Sequence, residues 1–165
     1  MNGKNILIIF FLISAATILF AQLGLFSGIA PTDLGVTNGR LKPPSKNENS
    51  VSSQAEFFYQ TDANVAYAKI APLNYKGNGR SAITKLKQLI LSDFREGRLV
   101  EEKESYLRYE FKTKLMNFTD DVEFSLNENE NYIDFRSASR LGRKDFGKNR
   151  ARLETIRNKF ADLNR

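Results

Sequence analysis

No charged residue occurs between Lys4 and Asp33, and residues 6–26 are apolar except for Ser14, Thr17, Gln22 and Gly24. Twenty-one residues at the helical rise reach about 31 Å, which matches a hydrocarbon core of roughly 30 Å. A chain that opens this way is tethered to a membrane or exported across one. A cleaved secretory signal carries an apolar core of about 7 to 15 residues followed by small residues at the cut. Here the best cut follows Ala21, but Leu19 stands where a small residue is wanted, and the apolar run continues through Leu23, Leu25 and Phe26. The expectation is an uncleaved single span within residues 1–27, with secretion after cleavage as the alternative. Lys4 and the α-amino group face Arg40, Lys42 and Lys46 across the span. The nearest charges favour an inside amino terminus and a globular part on the non-cytoplasmic side.

The composition then changes. Residues 28–62 are rich in Gly, Pro, Asn and Ser and lack periodicity, which reads as an extended juxtamembrane linker. Its first part, with isolated apolar residues among turn residues, also suits a segment laid against a domain surface. Residues 63–165 suffice for one small core. The chain has no Cys and no His. Disulfides, thiolate metal sites, Cys nucleophiles, Ser-His-Asp chemistry and ordinary zinc sites are thereby excluded, and no cofactor is expected.

Within the domain, alternation over 65–73 predicts a first strand ending near Pro72. Ile83, Leu86, Leu89, Ile90 and Phe94 then recur at helical spacing over 81–94, with Ser81 as cap and Gly97 just past the end. Strands follow over 98–103 and 106–114; in the second, Leu107, Tyr109 and Phe111 share one face and Arg108, Glu110 and Lys112 the other. Val122, Phe124 and Leu126 mirror Ile133 and Phe135 across the Asn/Glu-rich segment 127–131. A turn centred on Asn129 and Glu130 sets Leu126 opposite Ile133, Phe124 opposite Phe135 and Glu123 opposite Arg136, so a salt bridge is expected there. A second helix over 148–163 carries Leu153, Ile156, Phe160 and Leu163 as its stripe. The fold class is α+β: a single antiparallel sheet of about five strands with two helices on one face, in the order β-α-β-β-β-β-α, behind an N-terminal transmembrane helix.

Several stretches carry a resemblance. Pro31-Thr-Asp-Leu-Gly-Val36 with Gly39-Arg-Leu41, Asn49-Ser-Val-Ser-Ser-Gln54, Phe118-Thr-Asp-Asp-Val-Glu-Phe124, Arg136-Ser-Ala-Ser-Arg-Leu-Gly142 and Asp145-Phe-Gly-Lys-Asn-Arg-Ala-Arg152 together resemble the bacterial and plant family known as domain of unknown function 1499. The likeness runs from about Pro31 to Phe160. Its members often begin with a hydrophobic segment, and the resemblance implies kinship without a reaction, cofactor or catalytic residue.

Two constellations could carry chemistry. Asp120, Asp121 and Glu123 enter one strand, and the register places Asp120 and Asp121 near Ser139 and Ala138. Paired carboxylates can do acid–base work or hold a hard cation, which would make a hydrolase-like or metal-dependent enzyme; they can equally serve only to neutralise the arginines nearby. The second constellation is the carboxy-terminal stretch 136–165, with ten basic residues against three acids, a net +7 where the whole chain has +6. Arg136, Arg140, Arg143, Lys148 and Arg150 lie beside Gly142, Gly147 and a helix amino terminus, an arrangement suited to an anionic ligand such as a lipid headgroup, or to a protein partner. A solvated basic helix face is the plainer reading. No recognition motif points to nucleic acid. The 13 Phe and 6 Tyr also suit a pocket between sheet and helices, although aromatics at strand spacing commonly serve only packing.

Overall fold

In the computed structural model, which describes residues 2–59 and 63–163, the leader forms helix α1 (Gly3–Gln22). It is the one helix among the described residues long and apolar enough to cross a membrane. The Asn2 side chain caps its start by accepting from the Lys4 N–H.

The remainder is an α+β arrangement built on a single antiparallel sheet. Strands β1 (Ser50–Ser52) and β2 (Leu73–Asn74) flank two short helices, α2 (Ala55–Phe58) and α3 (Ala63–Ala68). Helix α4 (Gly79–Asp93), strands β3 (Gly97–Lys103), β4 (Tyr106–Lys112), β5 (Thr119–Asn127) and β6 (Tyr132–Ser139), and helix α5 (Lys148–Leu163) follow. The strand order is β1-β6-β5-β4-β3, with β2 also pairing along β6. Six strands are present rather than five.

The β5–β6 hairpin has the register that its apolar alternation demands: Leu126 opposite Ile133, Phe124 opposite Phe135, Glu123 opposite Arg136. The Asn127 side chain accepts from the N–H groups of Asn129 and Glu130, which holds the loop. The core fills the space between the sheet and the α4–α5 pair. Leu107, Tyr109, Phe111, Val122, Phe124, Ile133 and Phe135 meet Leu86, Ile90, Leu153, Ile156 and Phe160, all of them buried. Helix α4 starts two residues earlier than its pattern suggests, because the Asn78 side chain takes the Ser81 N–H and so caps in place of Ser81.

Two expectations need correction. The strand over 65–73 does not form. Pro72 has no N–H for a ladder, the segment begins as helix α3, and only Leu73–Asn74 reaches β6. The rest of that edge is taken by Ser50–Ser52, which pairs with residues 136–138. Residues of the presumed linker therefore enter the fold: Leu41, Asn49, Ser50, Val51, Ser52, Gln54 and Ala55 are all buried.

The second correction also concerns residues 28–62: they are not simply an extended linker, and their first part lies against the polar face of the sheet, as its isolated apolar residues also suited. Segment 28–41 crosses this face. Gly28 packs on Arg140 and Leu141, the Gly35 N–H donates to Glu123, and the Leu41 N–H donates to Gln54. Gly28 has φ +68°, and a Cβ there would lie 2.7 Å from the Arg140 Cβ, so this crossing requires glycine.

Candidate functional site

Alternation puts Asp120 on the helix-facing side of β5 and Asp121 and Glu123 on the strap-covered side, so the three carboxylates enter two separate networks. On the covered side Asp121, 1 % exposed, accepts two bonds from Arg140, at 2.8 Å from Nε and 2.8 Å from Nη2. Arg140 also bonds Glu110, which takes a further bond from Arg98 at 2.6 Å. Burial pushes the Glu110 carboxyl up, but its bonds from Arg140 and Arg98 outweigh that and hold it below the usual range. Its bond to Asp121, aided by Glu110, holds the Arg140 guanidinium all the more firmly protonated.

Glu123 is fully buried. Its Oε1 accepts from the Gly35 N–H at 2.7 Å and from the Tyr106 hydroxyl at 2.8 Å, and its Oε2 accepts from Arg136 Nη1 at 3.1 Å. The expected Glu123–Arg136 salt bridge is thus present. Arg136 Nε and Arg108 Nε are buried without a hydrogen-bond partner among the described residues. Beyond Arg136, Asp134 accepts from Ser53 and Gln54 at 2.6 and 2.7 Å; burial dominates and keeps its carboxyl above the usual range.

On the helix-facing side Asp120 accepts from Ser139 at 2.6 Å and from Arg152 Nη2 at 2.7 Å. Arg152 also lies over the Phe111 ring, 4.6 Å from its centroid, and so bolts α5 to the end of the sheet. Asn149 is buried beside it, with its amide donating to the Asn49 carbonyl and to Ser139. Asp145 starts the helix by accepting from the Gly147 and Asn149 N–H groups, and it also accepts from the Tyr67 hydroxyl. Burial raises the Asp145 carboxyl, yet those three bonds prevail and lower it. Burial and the Asp145 bond push Tyr67 up to about 12.

The basic residues singled out from sequence do not converge. Arg136 and Arg140 are inside the covered network. Arg150 is turned back to donate to the carbonyls of Tyr67 and Lys69. Arg143 and Lys148 are exposed and form no ion pair among the described residues, while Lys144 pairs with Glu48 at 2.9 Å. Sequence reasoning missed Glu110, Arg108, Gln54 and Asn149. A same-face alternation of acids on β4–β5 with arginines on β6 was the available signal for the first two. Each of Asp120, Asp121 and Glu123 is paired with an arginine, and the oxygens not so used are taken by Ser139 in Asp120 and by Tyr106 and the Gly35 N–H in Glu123.

What remains open is the end of the sheet nearest α1. The Gln22 side-chain amide donates to the carbonyls of Lys114 and Leu115 at 3.1 and 2.8 Å, and the Asn117 amide donates to the Ala21 carbonyl at 3.2 Å. The rings of Phe26 and Phe118 stand 5.9 Å apart. Next to this junction a cavity of about 250 Å³ is lined by the apolar Phe118, Leu141 and Phe146, the lysines Lys144 and Lys148, and the carboxylates Asp120 and Asp145, which are bonded to Arg152 and to the α5 cap.

A family model described as "Protein of unknown function (DUF1499)" matches residues 40–160. No curated protein and no solved structure matches the chain.

Proposed function

The chain belongs to the DUF1499 family of unknown function, and we propose that it is a single-span, membrane-anchored binding domain of the cell envelope that takes an anionic ligand at its membrane-proximal end. The observation that carries this is the junction itself. The last turn of α1 is hydrogen-bonded to residues 114–117, so the end of the anchor and the cavity rimmed by Lys144 and Lys148 are neighbours. Retention of the leader is supported by Ala21, 0 % exposed and inside a helix, a poor substrate for a peptidase acting after it. Lys4 adjoins the apolar helix, whereas the first basic residue on the other side is Arg40, beyond Asp33; this favours the domain on the non-cytoplasmic side.

The ligand chemistry follows from which cations are unspent. Arg136, Arg140, Arg150 and Arg152 serve the fold and Lys144 pairs with Glu48, whereas Lys148 lines the cavity exposed and Arg143, also exposed, adjoins the lining residues Gly142 and Lys144 in sequence. A phosphate-bearing lipid headgroup is the anion most concentrated at that surface. The rival hydrolytic reading would centre on Asp120, which alone of its three carboxylates lines the cavity; against it, both Asp120 oxygens are already engaged, by Ser139 and by Arg152.

Native mass spectrometry of the full chain in detergent tests the proposal, with short-chain phosphatidylglycerol and phosphatidylcholine as probes. Adducts of the anionic lipid that weaken in a Lys148→Glu/Arg143→Glu variant are expected. Equal retention of both lipids, unchanged in the variant, would refute it.

A further inference from the structure

The end of the sheet next to α1 carries an apolar surface that the fold uses only in part, through Phe118 against Phe26 and Leu141 against Gly28. Leu115 and Phe118 project from the loop 113–118, and Leu141 and Phe146 from the loop 140–147; all four are exposed, Phe146 to 91 %. Phe146 is the most telling. It has φ +55°, a backbone conformation that an aromatic residue adopts only under compulsion, and Gly147 follows at φ +77°. The Asp145 cap needs that backbone turn, since it bonds the N–H groups of Gly147 and Asn149, but it makes no use of the ring. A large apolar side chain held outward on a strained turn is a contact residue for something outside the fold.

The neighbours identify what that is. The helix of twenty residues, α1, spans about 30 Å, so its last residue, Gln22, falls at the edge of a hydrocarbon core. That residue is hydrogen-bonded to the loop bearing Leu115, and Gly28 packs against Leu141. The apolar loops therefore stand at the level where the span leaves the bilayer. Lys114, Arg143 and Lys148 bring exposed positive charge to them; Asp120 and Asp145, which follow or lie within the two loops, are buried and bonded, and of the exposed acids beside Lys114 Asp93 is paired with Lys159, leaving Glu96.

We infer that loops 113–118 and 140–147 form a bilayer-contacting face, with Phe146 inserted at the boundary between headgroups and acyl chains and the lysines on anionic headgroups. This rests on the anchoring part of the proposed function and not on its ligand. It fixes the pose of the domain: the β5–β6 loop 128–131, at the other end of the sheet, points away from the membrane, and the cavity opens onto it.

The chain contains no Trp, so single reporters can be placed at will. Full-length Phe146→Trp and Leu115→Trp are reconstituted into vesicles of phosphatidylcholine and phosphatidylglycerol, with and without lipid brominated near the top of the acyl chain. Asn129→Trp, on the distal loop, is the control. Blue-shifted emission that loses about half its intensity to brominated lipid is expected for both membrane-proximal reporters and not for the control. Water-like, unquenched emission from Phe146→Trp and Leu115→Trp in protein that floats with the vesicles overturns the docking face and leaves the anchor standing. Blue-shifted emission that is unquenched and fades as the lipid-to-protein ratio rises assigns the face to a second copy of the chain and also overturns it. Protein that fails to float removes the anchor, and the docking face with it.

Discussion

Replacing Glu123 should be among the most damaging single changes in this domain, and the damage should be largely reversed by removing Arg136 as well. Glu123 is fully buried and satisfies Arg136, the Tyr106 hydroxyl and the Gly35 N–H together. In Glu123→Leu the Arg136 guanidinium, whose Nε already lacks a partner, keeps a buried charge with no counter-charge. Breaking a buried ion pair from one side costs about 3–5 kcal/mol, and each orphaned neutral donor adds roughly 1–3 kcal/mol unless water reaches it. A net loss of about 4 kcal/mol is the reasonable sum, because a shortened side chain lets some water in. For a domain of this size that lowers the melting temperature by roughly 8–16 °C. Arg136→Met alone should cost about 3 kcal/mol, since the carboxylate keeps two of its donors. The double variant Glu123→Leu/Arg136→Met removes both charges of the pair, leaves the Tyr106 hydroxyl and the Gly35 N–H to water, and should lie within about 2 kcal/mol of the parent, which implies a coupling energy of at least roughly 5 kcal/mol. Guanidinium unfolding of the full chain in detergent, followed by circular dichroism, measures all four corners of the cycle. Additive losses, or a Glu123→Leu variant within about 1 kcal/mol of the parent, would show that the covered charge layer is hydrated and that the packing argument is wrong.

The same geometry fixes three other outcomes. Asp145 has a depressed carboxyl, so its contribution is fully present above the ordinary carboxylate range and is lost as pH falls through the folded value; Asp145→Asn should cost about 1–2 kcal/mol at neutral pH, with the gap to the parent closing on acidification. Asp134 has the opposite sign: burial raises its carboxyl, so the folded state binds the proton more tightly and the parent loses stability as pH rises through that window. Asp134→Asn should therefore be no less stable than the parent at neutral pH, and a clear loss there by thermal unfolding would contradict the burial argument. Gly28→Ala puts a Cβ onto Arg140 in a left-handed backbone, and should cost roughly 1–3 kcal/mol and speed tryptic cleavage after Arg40; unchanged cleavage would mean that the crossing segment is not held at Gly28.

The hairpin and the last helix were legible because their apolar residues obey one period without interruption. Val122, Phe124 and Leu126 against Ile133 and Phe135 admit a single register, and Lys148–Leu163 is found where its stripe predicts. Segment 41–55 was not legible, because it joins the sheet through small polar residues. Ser50 and Ser52 are fully buried with backbone ladders to β6, and a pattern of Ser, Asn and Gln carries no periodic apolar signal. The site failed in a third way. A count of arginines cannot separate a free guanidinium from one folded onto Asp121 or onto the carbonyls of Tyr67 and Lys69. Only the pairing register, which set Glu123 against Arg136, pointed to the answer, and its logic extends to Glu110 and Asp121 meeting Arg140 on the same face.

The charged layer under segment 28–41 has a physical rationale beside a bilayer. An apolar outer face would bury more favourably in water, since paired charges rarely outdo well-packed hydrophobic residues. Yet the segment follows the apolar α1 and has the exposed Leu23, Leu25 and Ile29 in or next to it, and a second greasy sheet face would compete for all of them. Hydrogen bonds to carboxylates do not slide. Glu123 accepts the Gly35 N–H in one geometry, and Gln54 joins the Leu41 N–H to Asp134 in another. Over residues 28–41 the path from α1 to the domain is thus set by directional contacts at defined points, while the main apolar cluster lies on the opposite face, where α4 and α5 cover it. Between them the two faces divide the labour. One supplies the burial that folds the domain, and the other fixes the route by which the domain leaves α1.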